Sequence, residues 1–230
     1  MNKYKVIILS LLISFMGASC EDWLYDNVNE DAAHEVLPQQ VLPVVLFYSA
    51  QLQFDHAEYG AYLTQTLTTG GRNQTSSLAY KSGWGDFLTM NRHPQWRRHF
   101  YDIGVNAKEI IDEAHEAQAW NLELIGRTLR LMSTQMTTDL FGDMPRSEAY
   151  ESNSPHYDTQ ESIYEWMNQE IEELIGMYED PTYTEAATNI PIDQSIDRVF
   201  AGDLNKWKHY TYALKARLLL RKLPNWENNA

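Results

Sequence analysis

The chain has 230 residues, with 32 acidic against 18 basic side chains, a formal net charge of −14 at pH 7 and a single cysteine. An acidic surface repels phosphate backbones and anionic headgroups, which argues against nucleic acid as a partner and against electrostatic adhesion to a membrane. One cysteine excludes an internal disulfide framework and any zinc site built on several thiolates.

The first element in chain order is a signal sequence. Asn2-Lys3-Tyr4-Lys5 is short and basic, Val6 to Met16 is apolar, and Gly17-Ala18-Ser19 places small residues before Cys20. An apolar stretch of about 7–15 residues with such flanks matches a secretory signal and is too short to span a bilayer. Because it ends on Cys20, it reads as a bacterial lipoprotein address: residues 1–19 are cleaved and a diacylglycerol joins the Cys20 sulfur. Gly17 departs from the usual large aliphatic residue at that place, and the alternative is an ordinary secretory signal cut near a chance cysteine. Cleavage removes Lys3 and Lys5 and no acid, leaving 16 basic residues against 32 acidic ones, so lipid and not charge would attach the protein. Residues 20–35 then form the acylated cysteine and a polar, acidic tether.

Residues 36–230 read as one helical domain. Val36 to Phe54 and Glu58 to Thr68 are predicted helices, separated near Asp55-His56. Residues 70–93 form a long loop in which Tyr80 and Trp84 sit among Arg72, Asn73 and Gln74. Structureless stretches beyond about 12–15 residues are usually functional or mobile. Flat aromatics that stack on sugar C–H groups, beside amide and guanidinium donors, suit a polar ligand with apolar faces. Arg72, Asn73, Tyr80 and Trp84 are therefore the candidate ligand contacts; a tryptophan tucked back onto the helices is the competing reading.

Phe100, Ile103, Ala107, Ile110, Ala114 and Ala117 recur at helical spacing, as do Leu122, Ile125, Leu129, Met132, Met136 and Leu140. Gly142, expected to take a left-handed conformation, and Pro145 end the second of these helices. After Pro155, Asp158 with Glu161 resembles a capping box for a helix whose inner face is Ile163, Met167, Ile171, Leu174 and Tyr178. Pro181 to Asp203 is a long connection. Asp203 caps a last helix that buries Leu204, Trp207, Leu214 and Leu218, while Lys215, Arg217, Arg221 and Lys222 suit its negative end. The predicted fold is all-α, a tetratricopeptide-like helical repeat scaffold of antiparallel pairs with a long loop insertion, although no strict 34-residue period is visible.

Catalytic signals are weak. Asp112-Glu113-Ala114-His115 spells a helicase-type box but lies in an amphipathic helix, and no phosphate-binding G-x-x-x-x-G-K-[ST] accompanies it. The seven histidines are scattered without H-E-x-x-H pairing. No G-x-S-x-G elbow is present, and acids are too abundant for any pair to point to glycoside hydrolysis. The expectation is a binding protein with no catalytic residue, no metal and no cofactor beyond the lipid on Cys20.

Three ordered patterns resemble the SusD/RagB family of outer-membrane nutrient-binding lipoproteins of Bacteroidetes. They are Asp139-Leu140-Phe141-Gly142-Asp143-Met144-Pro145-Arg146-Ser147-Glu148-Ala149, then Tyr157 to Tyr164, then Asp197-Arg198-Val199-Phe200-Ala201-Gly202-Asp203 with Trp207. Trp96, Tyr101 and Asn106 fit the family's W-x4-Y-x4-N helix, and Glu21 and Asp22 are similar to its surface-export signal. The resemblance implies a helical lid over a SusC-like TonB-dependent transporter, capturing an oligosaccharide or other nutrient at the cell surface without covalent chemistry. Family members commonly extend well beyond this length, so the domain is expected to be incomplete at its C-terminus. The alternative is a tetratricopeptide-like interaction scaffold with no small-molecule ligand of its own.

Overall fold

Proline sets the start of the first helix, because its fixed φ suits the first helical position and its missing N–H has no partner there in any residue. Helix α1 runs Pro38–Leu63, with a second proline, Pro43, in its second turn. The computed structural model describes residues 37–64, residue 66 and residues 94–222. The predicted signal peptide, Cys20, the tether and the 70–93 loop with Arg72, Asn73, Tyr80 and Trp84 lie outside them. The two helices expected on either side of Asp55-His56 are one. That polar pair is a tertiary anchor and not a break: buried Asp55 accepts from Arg98 Nε at 2.5 Å, and His56 Nδ1 lies 3.2 Å from Gln95 Oε1.

The stripe from Phe100 to Ala117 is helical but divides. After short α2 (Pro94–Arg97), Arg98–Val105 forms a π-helical segment, and α3 takes over at Asn106–Glu116. Widened π turns shift the hydrogen-bond ladder and leave carbonyls to be satisfied where the α ladder resumes. Asn106 serves this junction, donating from Nδ2 to the Asp102 carbonyl at 2.9 Å. On α3, Asp112 pairs with Lys108 at 2.5 Å, and Asp112, Glu113 and His115 face solvent, so the helicase-type box is a solvated helix face.

Helix α4 (Trp120–Phe141) is the centre of the fold: 17 of its 22 residues are buried, more than the predicted stripe requires. A helix covered this fully has to satisfy its own polar side chains. The hydroxyls of Thr128, Thr134 and Thr137 donate to the carbonyls of Leu124, Arg130 and Ser133 one turn earlier. Arg127 reaches Glu170 at 2.8 Å, Glu173 at 2.9 Å and Glu123 at 3.3 Å. Burial works against that guanidinium's charge, and the bonds to Glu170 and Glu173 more than offset it, holding its pKa above the ordinary arginine value.

Helix α5 (Gln160–Glu179) buries Ile163, Met167, Ile171, Leu174 and Tyr178, as its periodicity predicts. Its cap is Thr159, which accepts from Ser162 N, and not Asp158, whose carboxylate is engaged elsewhere. The connection after α5 holds a short helix, α6 (Pro181–Thr184), capped by Asp180. It then winds around Asp197, a fully buried carboxylate, before α7 (Leu204–Lys222). Asp203 caps α7 as expected, accepting from Asn205 N and Lys206 N. Near its end, Lys215 pairs with Glu172 of α5 and Arg221 with Asp139 of α4.

Helix α1, the π segment and α3 pack on α4 and on one another, while α5 and α7 pack on α4 and on each other. The described residues form an all-helical scaffold, as the spacing of apolar residues predicts, of the tetratricopeptide-like kind that the family resemblance implies. Among the described residues no helix is long and apolar enough to cross a membrane.

Candidate functional site

The chain between α4 and α5 is irregular but held at many points. Gly142 has φ +77° and ψ −124°, so φ is positive as expected while ψ lies outside the left-handed helical region; a side chain at this position would be strained. Met144 and Asp158 exchange backbone hydrogen bonds at 3.1 Å in both directions. The Asp158 carboxylate then closes the loop, accepting from Arg146 N at 2.8 Å, Ser147 N at 2.9 Å and the Ser147 hydroxyl at 2.9 Å. Burial opposes ionisation, but these donors win and hold its pKa below the usual carboxylate range. Glu148 adds a second staple, accepting from His156 N at 3.2 Å and lying 2.9 Å from His156 Nδ1.

The latched loop packs on the π segment through Tyr150. Its hydroxyl occupies the space that a side chain on Gly104 would need: a Cβ there would lie 1.7 Å from the Tyr150 oxygen and 2.6 Å from the His99 carbonyl. Burial pushes the Tyr150 phenol up to about 12, against the opposing charge of Arg130, so it stays protonated.

Between the loop, α2 and the π segment lies an open cleft of about 740 Å³. Trp96, Tyr101 and Tyr157 supply aromatic surface, and Lys108, Glu151 and Asn153 supply charge and hydrogen-bonding groups. The Trp96 and Tyr157 rings lie 6.3 Å apart and 21° from parallel, while Phe141 meets Trp96 edge-on at 5.2 Å and Phe100 packs at 4.7 Å. Tyr101 is 71% exposed and Tyr157 55%, a degree of exposure that leaves two broad ring faces to solvent. A volume of this order, with flat apolar faces and a few polar groups, suits a ring-shaped polar ligand.

The structure thus divides the W-x4-Y-x4-N residues: Trp96 and Tyr101 line the cleft, and Asn106 holds the π-to-α junction. Sequence reasoning did not nominate Tyr150, Tyr157, Phe100 or Lys108 as site residues. The available signal was the segment Tyr150 to Tyr157, in which two tyrosines bracket a run of Glu, Ser, Asn, Pro and His typical of an exposed loop. The candidates Arg72, Asn73, Tyr80 and Trp84 are not among the residues described, so the structure neither joins them to this cleft nor separates them from it.

Comparison with known proteins agrees with this architecture. A SusD-like family model, described as starch-binding associating with outer membrane, matches residues 48–225. No curated protein matches the chain. Among solved structures, a SusD/RagB family protein from Bacteroides thetaiotaomicron superposes with a TM-score of 0.61 at 23% identity, covering 81% of this chain and 38% of that one. The likeness is one of fold, and this chain spans well under half the length of that relative. With the family model matched from α1 past the end of α7, the chain belongs to the SusD-like family.

Proposed function

We propose that the protein is a surface-facing outer-membrane lipoprotein that binds a nutrient glycan and delivers it, as a lid, to a SusC-like TonB-dependent transporter. The observation that carries this reading is the aromatic cleft of Trp96, Tyr101 and Tyr157 in a chain of a family described as starch-binding. Anchoring falls to acylated Cys20, and Arg72, Asn73, Tyr80 and Trp84 are proposed as further ligand contacts. The protein contributes affinity and closure; the transporter moves the ligand.

Calorimetric titration of the purified protein with soluble glycans tests the cleft. An aromatic contact adds about 0.5–1.5 kcal/mol beyond area burial, so replacing Trp96 and Tyr157 together by Ala should weaken binding by about tenfold or more. Unchanged affinity in that double variant would remove the cleft from the proposal, and unchanged affinity in Trp84→Ala would remove the 70–93 loop. Purification from detergent-solubilised membranes should bring down a large β-barrel transporter; its absence would overturn the lid role.

A further inference from the structure

A second cavity, of about 170 Å³, adjoins the cleft: Lys108, Tyr150 and Glu151 are among the residues that line both. Its own wall adds Arg130, Arg146 and Trp166. Three cations surround one small space in an acidic chain, and of the nearby carboxylates all but Glu151 are engaged. Glu123, Glu170 and Glu173 pair with Arg127, Asp112 with Lys108, and Asp158 takes the backbone of Arg146 and Ser147. Glu151, on the wall itself, is exposed. Arg130 feels the charges of Glu170 and Asp112, and Arg146 that of Asp158, but among the described residues neither makes a salt bridge; both guanidiniums pack on the Trp166 ring, at 5.9 and 4.8 Å from its centre.

Arg146 Nε is also a buried donor with no hydrogen-bond partner. Burial pushes the Arg130 pKa below the ordinary arginine value, Glu170 offsetting part of the shift and Arg127 adding to it. At Arg146 Nε a donor has lost water without gaining an acceptor, and a guanidinium's fork of N–H groups matches the oxygens of a carboxylate or sulfate. At roughly 30 Å³ per water molecule, the cavity has room for such a group with some water left beside it.

We propose that this cavity is an oxyanion site formed by Arg130 and Arg146, with Lys108, itself paired with Asp112, at its edge. Resting on the glycan-binding reading above, it specifies a nutrient that carries an acidic group, the carboxylate of a uronic acid or a sulfate ester. The acidic substituent enters the small cavity while a neighbouring sugar ring lies on Trp96 and Tyr157.

The test titrates the protein at low ionic strength with sodium sulfate, glucuronate, polygalacturonate and a neutral glucan. Polygalacturonate should bind more tightly than the neutral glucan, weaken as salt is raised, and be displaced by sulfate. Arg146→Gln should weaken polygalacturonate and sulfate at least tenfold and leave the neutral glucan within twofold. Arg146→Lys, which keeps the charge but not the fork, should fall between, with unchanged circular dichroism showing that the fold is intact. Acidic ligands held within twofold by Arg146→Gln, or no oxyanion binding in the wild type, would overturn the site even if neutral glucans still bound. Arg146-dependent sulfate and glucuronate binding with no polymer binding would uphold the oxyanion site while refuting the glycan reading it extends.

Discussion

Replacing Asp197 should cost more stability than any change on the protein's surface. Its side chain has no exposure to solvent, and its two oxygens take four N–H donors. Oδ1 accepts from Val199 N at 2.9 Å and Phe200 N at 3.1 Å; Oδ2 accepts from Gly202 N at 2.9 Å and the Trp207 indole at 2.8 Å. The Val199 and Phe200 amides lie in a turn near the surface, where water can replace the lost acceptor. Trp207 is 1% exposed and wedged edge-on against Phe200 at 5.0 Å, so its N–H cannot be rehydrated without opening the α7 contact. Hydrogen bonds to charged groups are worth about 1.5–3 kcal/mol each. Counting only those to Gly202 and Trp207, Asp197→Ala should cost about 3–6 kcal/mol, a large share of the roughly 5–15 kcal/mol that holds a domain folded. At about 2–4 °C per kcal/mol for a chain of this size, the melting temperature should drop by about 10 °C. Asp197→Asn is nearly isosteric but turns an NH2 toward two of the four donors, so its loss should be of similar size. Thermal melts followed by circular dichroism and tryptophan fluorescence measure both. A fall of less than about 2 °C for the Ala variant would refute the assignment of Asp197 as the pin between the connection and α7.

Acid should weaken the fold through His99. It is 4% exposed, its Nδ1 lies 2.7 Å from Ser133 Oγ, and burial, then Arg130, lower its pKa to about 3. Because the folded value lies below the unfolded value of 6.5, this contribution is fully present above pH 6.5 and is lost as pH falls toward about 3. One proton gives a slope of about 1.4 kcal/mol per pH unit, readable as a shift in urea midpoint between pH 6.5 and 4.5, and His99→Gln should flatten it. An identical slope in that variant would contradict the account. Gly104→Ala should destabilise by about 1–3 kcal/mol through overpacking, because the His99 carbonyl cannot move aside as the Tyr150 side chain can. Tyr150→Phe in the same chain should therefore restore only part of the loss, and full restoration would place the whole clash on the phenol oxygen.

The helices were legible wherever apolar periodicity alone decides the outcome. Ile163, Met167, Ile171, Leu174 and Tyr178 could be assigned to one buried face because each owes its place to burial at a fixed spacing. Polar residues give misleading local signals wherever their partners are distant in sequence. Asp55-His56 looks like a break until Arg98 and Gln95 arrive from another helix to meet it, and Asp158 looks like a cap until Arg146 and Ser147 fold back on it. The π segment has no composition of its own; its mark is Asn106, which any helix could carry. The cleft was legible only in part, since Trp96 and Tyr101 belong to a recognisable pattern while Tyr150 and Tyr157 gain their positions from the closing of a loop.

That division separates the frame of the site from its specificity. Of the residues that carry the family resemblance, Trp96 and Tyr101 line the cleft, while Asp143, Ser147, Asp158, Asp197, Gly202 and Trp207 are engaged with the protein itself: they cap, latch and pin. What faces the cleft between the latches is Glu151, Asn153 and Tyr157, set in a stretch whose ends are fixed by Asp158 and by the pairing of Glu148 with His156. Such a loop can change its inward side chains without loosening its ends. The family pattern therefore constrains the scaffold and two aromatic faces of the cleft, Trp96 and Tyr101, and under the proposed glycan-binding role the selectivity among ligands is to be sought in the side chains of residues 149–157 and in Arg130 and Arg146 behind them.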